Sequence, residues 1–200
     1  GGDPLTLDDR KLHTVIDTIR AARPGIVLRL GSRMPAVLPS RITRLLARGL
    51  AIRQPLWFVV HINHPRELTA ECTEAFQRLA GAGVPLLSQT VLLRGVNDDP
   101  AVLEDLFRGL TARRVKPYYL FQGDLARGTG HFRVPLARGR DIMRELRRRL
   151  SAMALPVYAV DLPGGGGKIP LTESYLKGED AESYIFESVE GGTCRYPKEG

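Results

Sequence analysis

Segments typical of β-strands alternate with segments typical of α-helices along most of this chain, at a spacing of roughly 30 residues. The predicted strands are Ile26–Leu30, Leu56–His61, Pro85–Leu93, Val115–Gln122 and Val157–Asp161. Because two parallel strands need a crossover connection of about a dozen residues or more, the repeat predicts an α/β fold with a parallel sheet and outer helices. Periodicity alone leaves open whether that sheet is flat or curls into part of a barrel.

Helices are predicted before the first of these strands and between successive ones, each with its apolar residues on one face. They are Leu7–Arg20, Pro39–Leu50, Thr69–Ala82, a helix capped by Asn97–Pro100 that runs to Ala112, and Pro135–Leu150. Beyond Ile169 the pattern changes, and a hairpin is expected from Ser183–Glu187 and Thr193–Tyr196. We therefore expect an incomplete (βα) barrel over residues 1–162, followed by a lysine-bearing loop and tail over residues 163–200.

Polar side chains follow nearly every predicted strand. They are Ser32 and Arg33, His61 and Asn63, Gln89, Gln122 and Asp124, and finally Asp161 with Lys168. Barrels of parallel strands assemble their active sites from residues at these carboxyl ends. This distribution favours a partial barrel over an open sheet.

Four glycines run directly into a lysine at Pro163–Lys168, just after the last predicted strand. Only five of the 29 basic residues are lysines. A lysine that directly follows a glycine loop is therefore more informative here than it would be in a lysine-rich protein. Such an amine can serve as a point charge or as a nucleophile toward a carbonyl group. A phosphate-binding loop is excluded, because Leu162 replaces its first glycine and Ile169 its Ser or Thr. A flexible linker is the alternative.

Composition narrows the function classes. The formal charge of +7 could indicate nucleic-acid binding. However, the densest basic run, Arg138–Arg149, lies on a predicted helix with one apolar stripe. A solvated helix face explains these arginines at least as well. No segment has the length and apolar character of a membrane span or a signal peptide. Cys72 and Cys194 form neither a disulfide framework nor a metal motif. We expect a cytoplasmic protein that binds neither nucleic acid nor membrane.

Two groups of polar residues keep alternative interpretations. His61, Asn63 and His64 suit contacts to a ligand better than a metal site, and a turn-capping role at His64 is the structural alternative. Asp124 and Asp161 end strands in apolar settings, where carboxylates are costly without a cation. They either await a cationic substrate, or Asp124 is satisfied by Arg127 and Arg133.

Seven stretches together resemble the lysine 2,3-aminomutase family of radical S-adenosylmethionine enzymes. They occur in family order and span nearly the whole chain: Gly1–Leu5, Gly31–Pro35, His61–Pro65, Gln89–Asp98, Lys116–Leu125, Gly130–Arg133 and Asp161–Lys168. The resemblance implies a radical S-adenosylmethionine type of partial barrel. It also implies three cofactors, namely pyridoxal phosphate, S-adenosylmethionine and a 4Fe–4S cluster.

The resemblance also implies residue roles. Lys168 resembles the lysine that holds pyridoxal phosphate as an aldimine, and Asp124 and Asp161 resemble the carboxylates that bind the distal ammonium of substrate lysine. Contacts to S-adenosylmethionine, or a position close to the cofactors, are implied for Gly1, Gly2, Asp3, Arg33, His61, Asn63 and Gln89. A 5′-deoxyadenosyl radical would take a hydrogen from the substrate β-carbon before the amino group migrates.

Three departures from the family pattern stand out. The cluster needs a CxxxCxxC motif, which this sequence lacks, so its ligands are expected upstream of Gly1. No metal ligand is therefore assigned within this sequence. The chain is expected to be a fragment that is inactive alone. Phe121 stands where a tyrosine is expected near pyridoxal phosphate. Asp99 and a lone Cys194 leave the family's zinc-binding cysteines incomplete.

The expected function is an isomerase that converts L-lysine to β-lysine, acting with an external reductant and as a homo-oligomer in the full-length protein. Arginine, glutamate and a lysine of elongation factor P are alternative substrates, and the two aspartates favour a cation. A non-catalytic remnant that binds pyridoxal phosphate is the alternative from another class.

Overall fold

A sheet of six strands forms the centre of the computed structural model, which describes residues 2–198. The predicted cofactor contact Gly1 lies outside the described residues. The strands follow one another in space in chain order: β1 (Leu28–Ser32), β2 (Leu56–His61), β3 (Leu86–Leu92), β4 (Val115–Gln122), β5 (Val157–Leu162) and β6 (Gly167–Pro170). Strands β1 to β5 are parallel and β6 is antiparallel to β5. The predicted α/β fold with a parallel sheet is confirmed.

Of the six α-helices within residues 2–198, the first precedes β1 and the others lie between successive parallel strands. The six helices are α1 (Asp9–Ala22), α2 (Met34–Val37), α3 (Arg44–Ala51), α4 (Ala70–Gly81), α5 (Pro100–Ala112) and α6 (Leu136–Arg149). Side-chain oxygens of Thr69 and Asp99 accept hydrogen bonds from the first turns of α4 and α5, which explains why both helices begin where the sequence predicts. None of the helices within residues 2–198 is both long enough and apolar enough to cross a membrane.

Several predicted boundaries shift in the structure, for example at the second predicted helix and at the first predicted strand. The helix expected over Pro39–Leu50 is a 3₁₀ turn at Pro39–Arg41 followed by α3, because Thr43 caps a new helix by accepting a hydrogen bond from the Leu46 amide. The first strand is displaced toward its carboxyl end and runs to Ser32.

The consecutive strand order explains where the core and the site lie. Right-handed crossovers that all step in one direction place the helices on one face of the sheet, as in a barrel. Along β3, alternate residues are buried, whereas Gln89 and Val91 between them are only half-buried and point to the other face. Helices therefore cover one face around Phe58, Phe76 and Phe107, and the opposite face carries the polar groups.

The C-terminal region forms a second, antiparallel sheet of three strands, β7 (Leu176–Glu179), β8 (Ser183–Glu187) and β9 (Thr193–Pro197). The predicted hairpin corresponds to β8 and β9, whereas β6 and β7 were not predicted. Strand β6 belongs to the same sheet as β5, although the predicted domain boundary separates them. That boundary stays a prediction.

Arginines of α6 attach this C-terminal region to the barrel. Arg144 forms an ion pair with Glu173 at 2.5 Å, and the Arg147 guanidinium lies 5.6 Å from the centre of the Tyr175 ring. Arg148 donates a hydrogen bond of 2.9 Å to the Val189 carbonyl. The sequence suggested that the arginines of this run form a solvated helix face. In the structure, several of them instead contact the C-terminal region.

Candidate active site

Adjacent strands bring most of the predicted site residues to one edge of the main sheet. His61 is the direct register partner of Gln89, and Val91 is the partner of Phe121 on the next strand. Further along, Asp161 of β5 lies directly opposite Lys168 of β6. The carboxyl ends of the parallel strands therefore present these groups in a row, as the strand-end pattern predicts.

The glycine run places Lys168 on a strand and not on a flexible linker. Gly164, Gly165 and Gly167 have φ angles of 70°, 81° and 82°, a region that side-chain-bearing residues rarely adopt. A Cβ atom on Gly166 would lie 2.8 Å from the Leu162 Cβ, so this glycine is needed for close packing. The glycines thus turn the chain back along β5 and set Lys168 opposite Asp161.

Lys168 contacts two groups of the site. Its ammonium forms an ion pair with the Asp161 carboxylate, and Nζ lies 5.2 Å from the centre of the Phe121 ring. The lysine and aspartate side chains are 44% and 41% exposed, so both can be reached from solvent. An accessible primary amine beside a flat aromatic face suits a planar aldehyde.

A small recess of about 80 Å³ unites four of the predicted site residues. It is lined by Gln89, Val91, Phe121, Gln122, Asp124, Asp161 and Lys168. A larger recess of about 450 Å³ shares Gln122, Asp124 and Asp161 with it and adds Arg94 and Arg133 among mainly apolar neighbours. The two aspartates therefore stand between the lysine and a space that can hold a small molecule.

The loop that carries Asp124 is supported from below by a buried hydrogen-bonded pair. Gln122 donates to the Val134 carbonyl at 2.6 Å and accepts a hydrogen bond of 2.5 Å from the Tyr158 hydroxyl. Burial raises the pKa of Tyr158 to about 12, so this hydroxyl stays protonated and remains a donor at neutral pH. Gln122 thereby connects both ends of the loop between β4 and α6.

Asp124 itself has no ion pair or side-chain hydrogen bond within residues 2–198. The structural alternative, in which Arg127 and Arg133 neutralise it, is not realised in this part of the chain, although Arg133 lines the same recesses. The carboxylate is exposed and available to a cationic ligand.

Three predicted cofactor contacts are instead engaged with the protein. The Asp3 carboxylate accepts hydrogen bonds from the Leu5 amide, the Ser32 hydroxyl and the Arg33 amide. The Arg33 guanidinium pairs with Glu67 at 3.0 Å. Asn63 accepts a hydrogen bond of 2.9 Å from the Val91 amide and so joins β2 to β3. Gly2, next to Asp3, is exposed.

Glu67 is a site residue that the sequence analysis missed. One of its carboxylate oxygens accepts from the amides of Asn63 and His64, and the other pairs with Arg33. His64 accepts a hydrogen bond from the Arg66 amide, so its turn-capping alternative is what the structure shows. The signal was a glutamate three residues after the cap, a capping box with histidine in place of Ser or Thr.

His61 and Gln89 keep their side chains free of hydrogen bonds within residues 2–198 and are both half-buried. Burial lowers the pKa of His61; Arg33 lowers it further and Asp3 acts in the opposite direction. The imidazole is therefore neutral near pH 7, with one nitrogen able to donate and the other able to accept.

The residues at hand suit some of the implied cofactors and not others. Lys168, Phe121 and the adjoining recess fit pyridoxal phosphate, as judged from the accessible amine and the aromatic face. No group of three metal-ligating side chains is brought together within residues 2–198, so these residues do not fit an iron–sulfur cluster. Cys72 is buried, and burial raises the pKa of its thiol to about 11. Asp99 caps α5.

Known proteins include several that are similar to this chain in sequence. A family model described as lysine-2,3-aminomutase matches residues 143–199. An L-lysine 2,3-aminomutase of Fusobacterium nucleatum is 43% identical over 98% of this chain and 46% of its own length. A glutamate 2,3-aminomutase of Clostridioides difficile is 40% identical over 100% of this chain and 47% of its own length. The chain thus spans about half the length of the curated relatives it matches.

The fold has a counterpart among solved structures. A domain of pyruvate-formate lyase-activating enzyme from Bacteroides vulgatus superimposes with a TM-score of 0.55 at 13% identity, covering 80% of this chain and 94% of that domain. The shared fold is an α/β half-barrel whose sheet consists mostly of parallel strands. Over nearly its whole length the chain is thus similar to lysine 2,3-aminomutases and to a glutamate 2,3-aminomutase.

Proposed function

We propose that this chain forms the part of a 2,3-aminomutase that binds pyridoxal phosphate and the distal end of a cationic amino acid, with L-lysine as the substrate. The supporting observation is the shared recess, in which Lys168, Asp124 and Asp161 meet. Its single amine matches the aldehyde of pyridoxal phosphate, and its two carboxylates match the distal ammonium of the amino acid.

Each side chain has a task in this proposal. Lys168 holds the cofactor through its ε-nitrogen, with the Phe121 ring beside it. Pyridoxal phosphate, when bound, supplies a conjugated ring that spreads charge or spin from an attached amine. Asp124 and Asp161 bind the substrate's distal ammonium, and the buried Gln122–Tyr158 pair keeps the Asp124 loop in position. Fixed carboxylates of this kind orient the substrate relative to the reacting carbon atoms.

Glutamate is the second candidate substrate, since a relative described as a glutamate 2,3-aminomutase is 40% identical. The electrostatics of the recess favour lysine, because the carboxylate at the far end of glutamate would approach two aspartates and be repelled. His61 and Gln89, paired on adjacent strands at the same edge, are proposed to contact S-adenosylmethionine.

Covalent labelling tests the cofactor assignment. The protein expressed from its whole gene is incubated with pyridoxal phosphate, reduced with borohydride and digested for peptide mass spectrometry. We expect the label on Lys168 in the wild type and no label at this position in Lys168→Arg. Labelling of another lysine in the wild type would overturn the assignment.

Turnover of alternative substrates tests the substrate assignment. With the same protein, supplied with its cofactors and a reductant, we expect conversion of L-lysine and none of L-glutamate. Asp161→Asn should raise the KM for L-lysine by about tenfold, since a hydrogen-bonded charge contributes about 1.5 kcal/mol or more. It should leave the labelling of Lys168 intact. An unchanged KM, or a preference for glutamate, would contradict the proposal.

A further inference from the structure

The two carboxylates of the recess differ in one respect that the sequence does not show. Asp161 is paired with the Lys168 ammonium, whereas Asp124 has no ion pair or side-chain hydrogen bond within residues 2–198. The Asp161–Lys168 pair also follows from the strand register, because directly opposed residues of antiparallel strands place their side chains on the same face.

This pair sets a limit on ligand binding. Two carboxylates and one ammonium leave a single negative charge in the recess when Lys168 is protonated. A ligand ammonium placed against Asp161 would meet both a carboxylate oxygen that is already engaged and a neighbouring positive charge that repels it. Neutralising Lys168 leaves two negative charges for the incoming cation.

We propose that the Lys168 ammonium is a resident counter-ion of Asp161 that competes with the distal ammonium of the substrate. The carboxylate pair then binds a diamino acid more tightly when no positive charge at position 168 lies against Asp161. This inference rests on the proposed function, since it assigns both the amine and the carboxylates to one site.

Two substitutions separate the charge of Lys168 from its chemistry. Lys168→Gln removes the charge and Lys168→Arg keeps it, while neither side chain can hold an aldehyde covalently. The protein expressed from its whole gene, free of pyridoxal phosphate, is titrated with L-lysine in a calorimeter at low ionic strength. L-Norleucine, which has the same chain length without the distal ammonium, serves as the matched ligand.

We expect Lys168→Gln to bind L-lysine more tightly than both the wild type and Lys168→Arg, by up to about fivefold, the upper range for a partly exposed ion pair. The gain should be absent for L-norleucine, should shrink as salt is added, and should disappear in Lys168→Gln combined with Asp161→Asn. Circular dichroism checks that each variant is folded.

Equal affinity of Lys168→Gln and Lys168→Arg for L-lysine, including no measurable binding by either, overturns the inference. A gain that survives Asp161→Asn overturns it as well. Failure of the proposed function looks different, because borohydride would then label another residue of the wild type whatever the affinities of these two variants.

Discussion

The two ends of the site edge are held in different ways. At the β1–β3 end, Asp3, Arg33 and Asn63 use their own polar atoms to join segments of the chain. At the β4–β6 end, Asp124 has no such contact within residues 2–198, and Asp161 pairs only with Lys168. The first set builds the edge, whereas the second set is left available for a ligand.

This difference raises the question of what fixes the positions of the Asp124 and Asp161 carboxylates. A carboxylate without protein partners still needs a fixed position if it is to orient a ligand. At the β4–β6 end the support lies beneath the surface, in the bond between Tyr158 and Gln122 and in the glycine-shaped turn before Lys168. Direct polar contacts fix the side chains at the β1–β3 end, whereas the buried Tyr158–Gln122 bond and the glycine turn fix the backbone at the β4–β6 end.

Gly139→Ala should have the largest effect, because it attacks the support of the β4–β6 end. A Cβ atom at this position in α6 would lie 2.0 Å from the Tyr158 hydroxyl oxygen, so the tyrosine must move away from Gln122. Overpacking costs about 1–3 kcal/mol and the lost bond about 1 kcal/mol, against a gain of about 1 kcal/mol in helix propensity. We expect the free energy of unfolding in urea to fall by about 2 kcal/mol.

Gly81→Ala in α4 is the matched control, because a Cβ atom there meets nothing within 4 Å. This substitution should leave stability unchanged or raise it by up to about 1 kcal/mol. Similar unfolding energies for the two variants would mean that Tyr158 and Gln122 do not form a rigid support.

Asp3→Ala and Asp124→Ala test the comparison directly, with a smaller effect. Removing the Asp3 carboxylate leaves the Ser32 hydroxyl and the Arg33 amide without their acceptor, which should cost about 1 kcal/mol of stability. Asp124→Ala removes no protein contact and should change stability by less than about 0.5 kcal/mol. Urea unfolding of both variants measures the difference, and comparable losses would show that the two ends are built alike.

The parts of the fold that were predicted follow from local chemistry. The cap residues Thr69 and Asp99 and the apolar strand Val115–Gln122 each carry their signal within a few neighbouring residues. Strand β6 was missed because its four residues, Gly167–Pro170, are exposed and have no apolar alternation. Its pairing with β5 depends on a turn made by glycines with positive φ angles. A run of glycines also occurs in flexible linkers, so the sequence alone did not distinguish the two.

The candidate site was predicted as a set of residues but not as a set of partners. Strand-end positions brought Gln89, Asp124, Asp161 and Lys168 together as expected. The engagement of Asp3 by Ser32 and Arg33 could not be read from the sequence, because those residues are about 30 positions away and meet only through the fold. Long-range polar contacts of this kind decide which predicted groups remain available.

His61 provides the smallest test, since it is the group at the β1–β3 end whose ring makes no hydrogen bond within residues 2–198. Burial lowers its pKa below the ordinary value of 6.5, so the unfolded chain takes up a proton more readily than the folded protein does. The neutral ring therefore contributes stability that is present above about pH 6.5 and is lost as the pH falls through the lower folded-state pKa.

We expect the melting temperature of the wild type to fall between pH 7 and pH 5 more steeply than that of His61→Gln, measured by calorimetry. His13, whose pKa is also lowered by burial, contributes a fall of the same sign, so His13→Gln should flatten the profile too and the double variant should flatten it most. If His61→Gln followed the wild-type profile, the ring would be hydrated or paired in the folded protein. Gln89 would then be the one available side chain among the proposed contacts at the β1–β3 end, and the proposed contact to S-adenosylmethionine would have to rest on it alone.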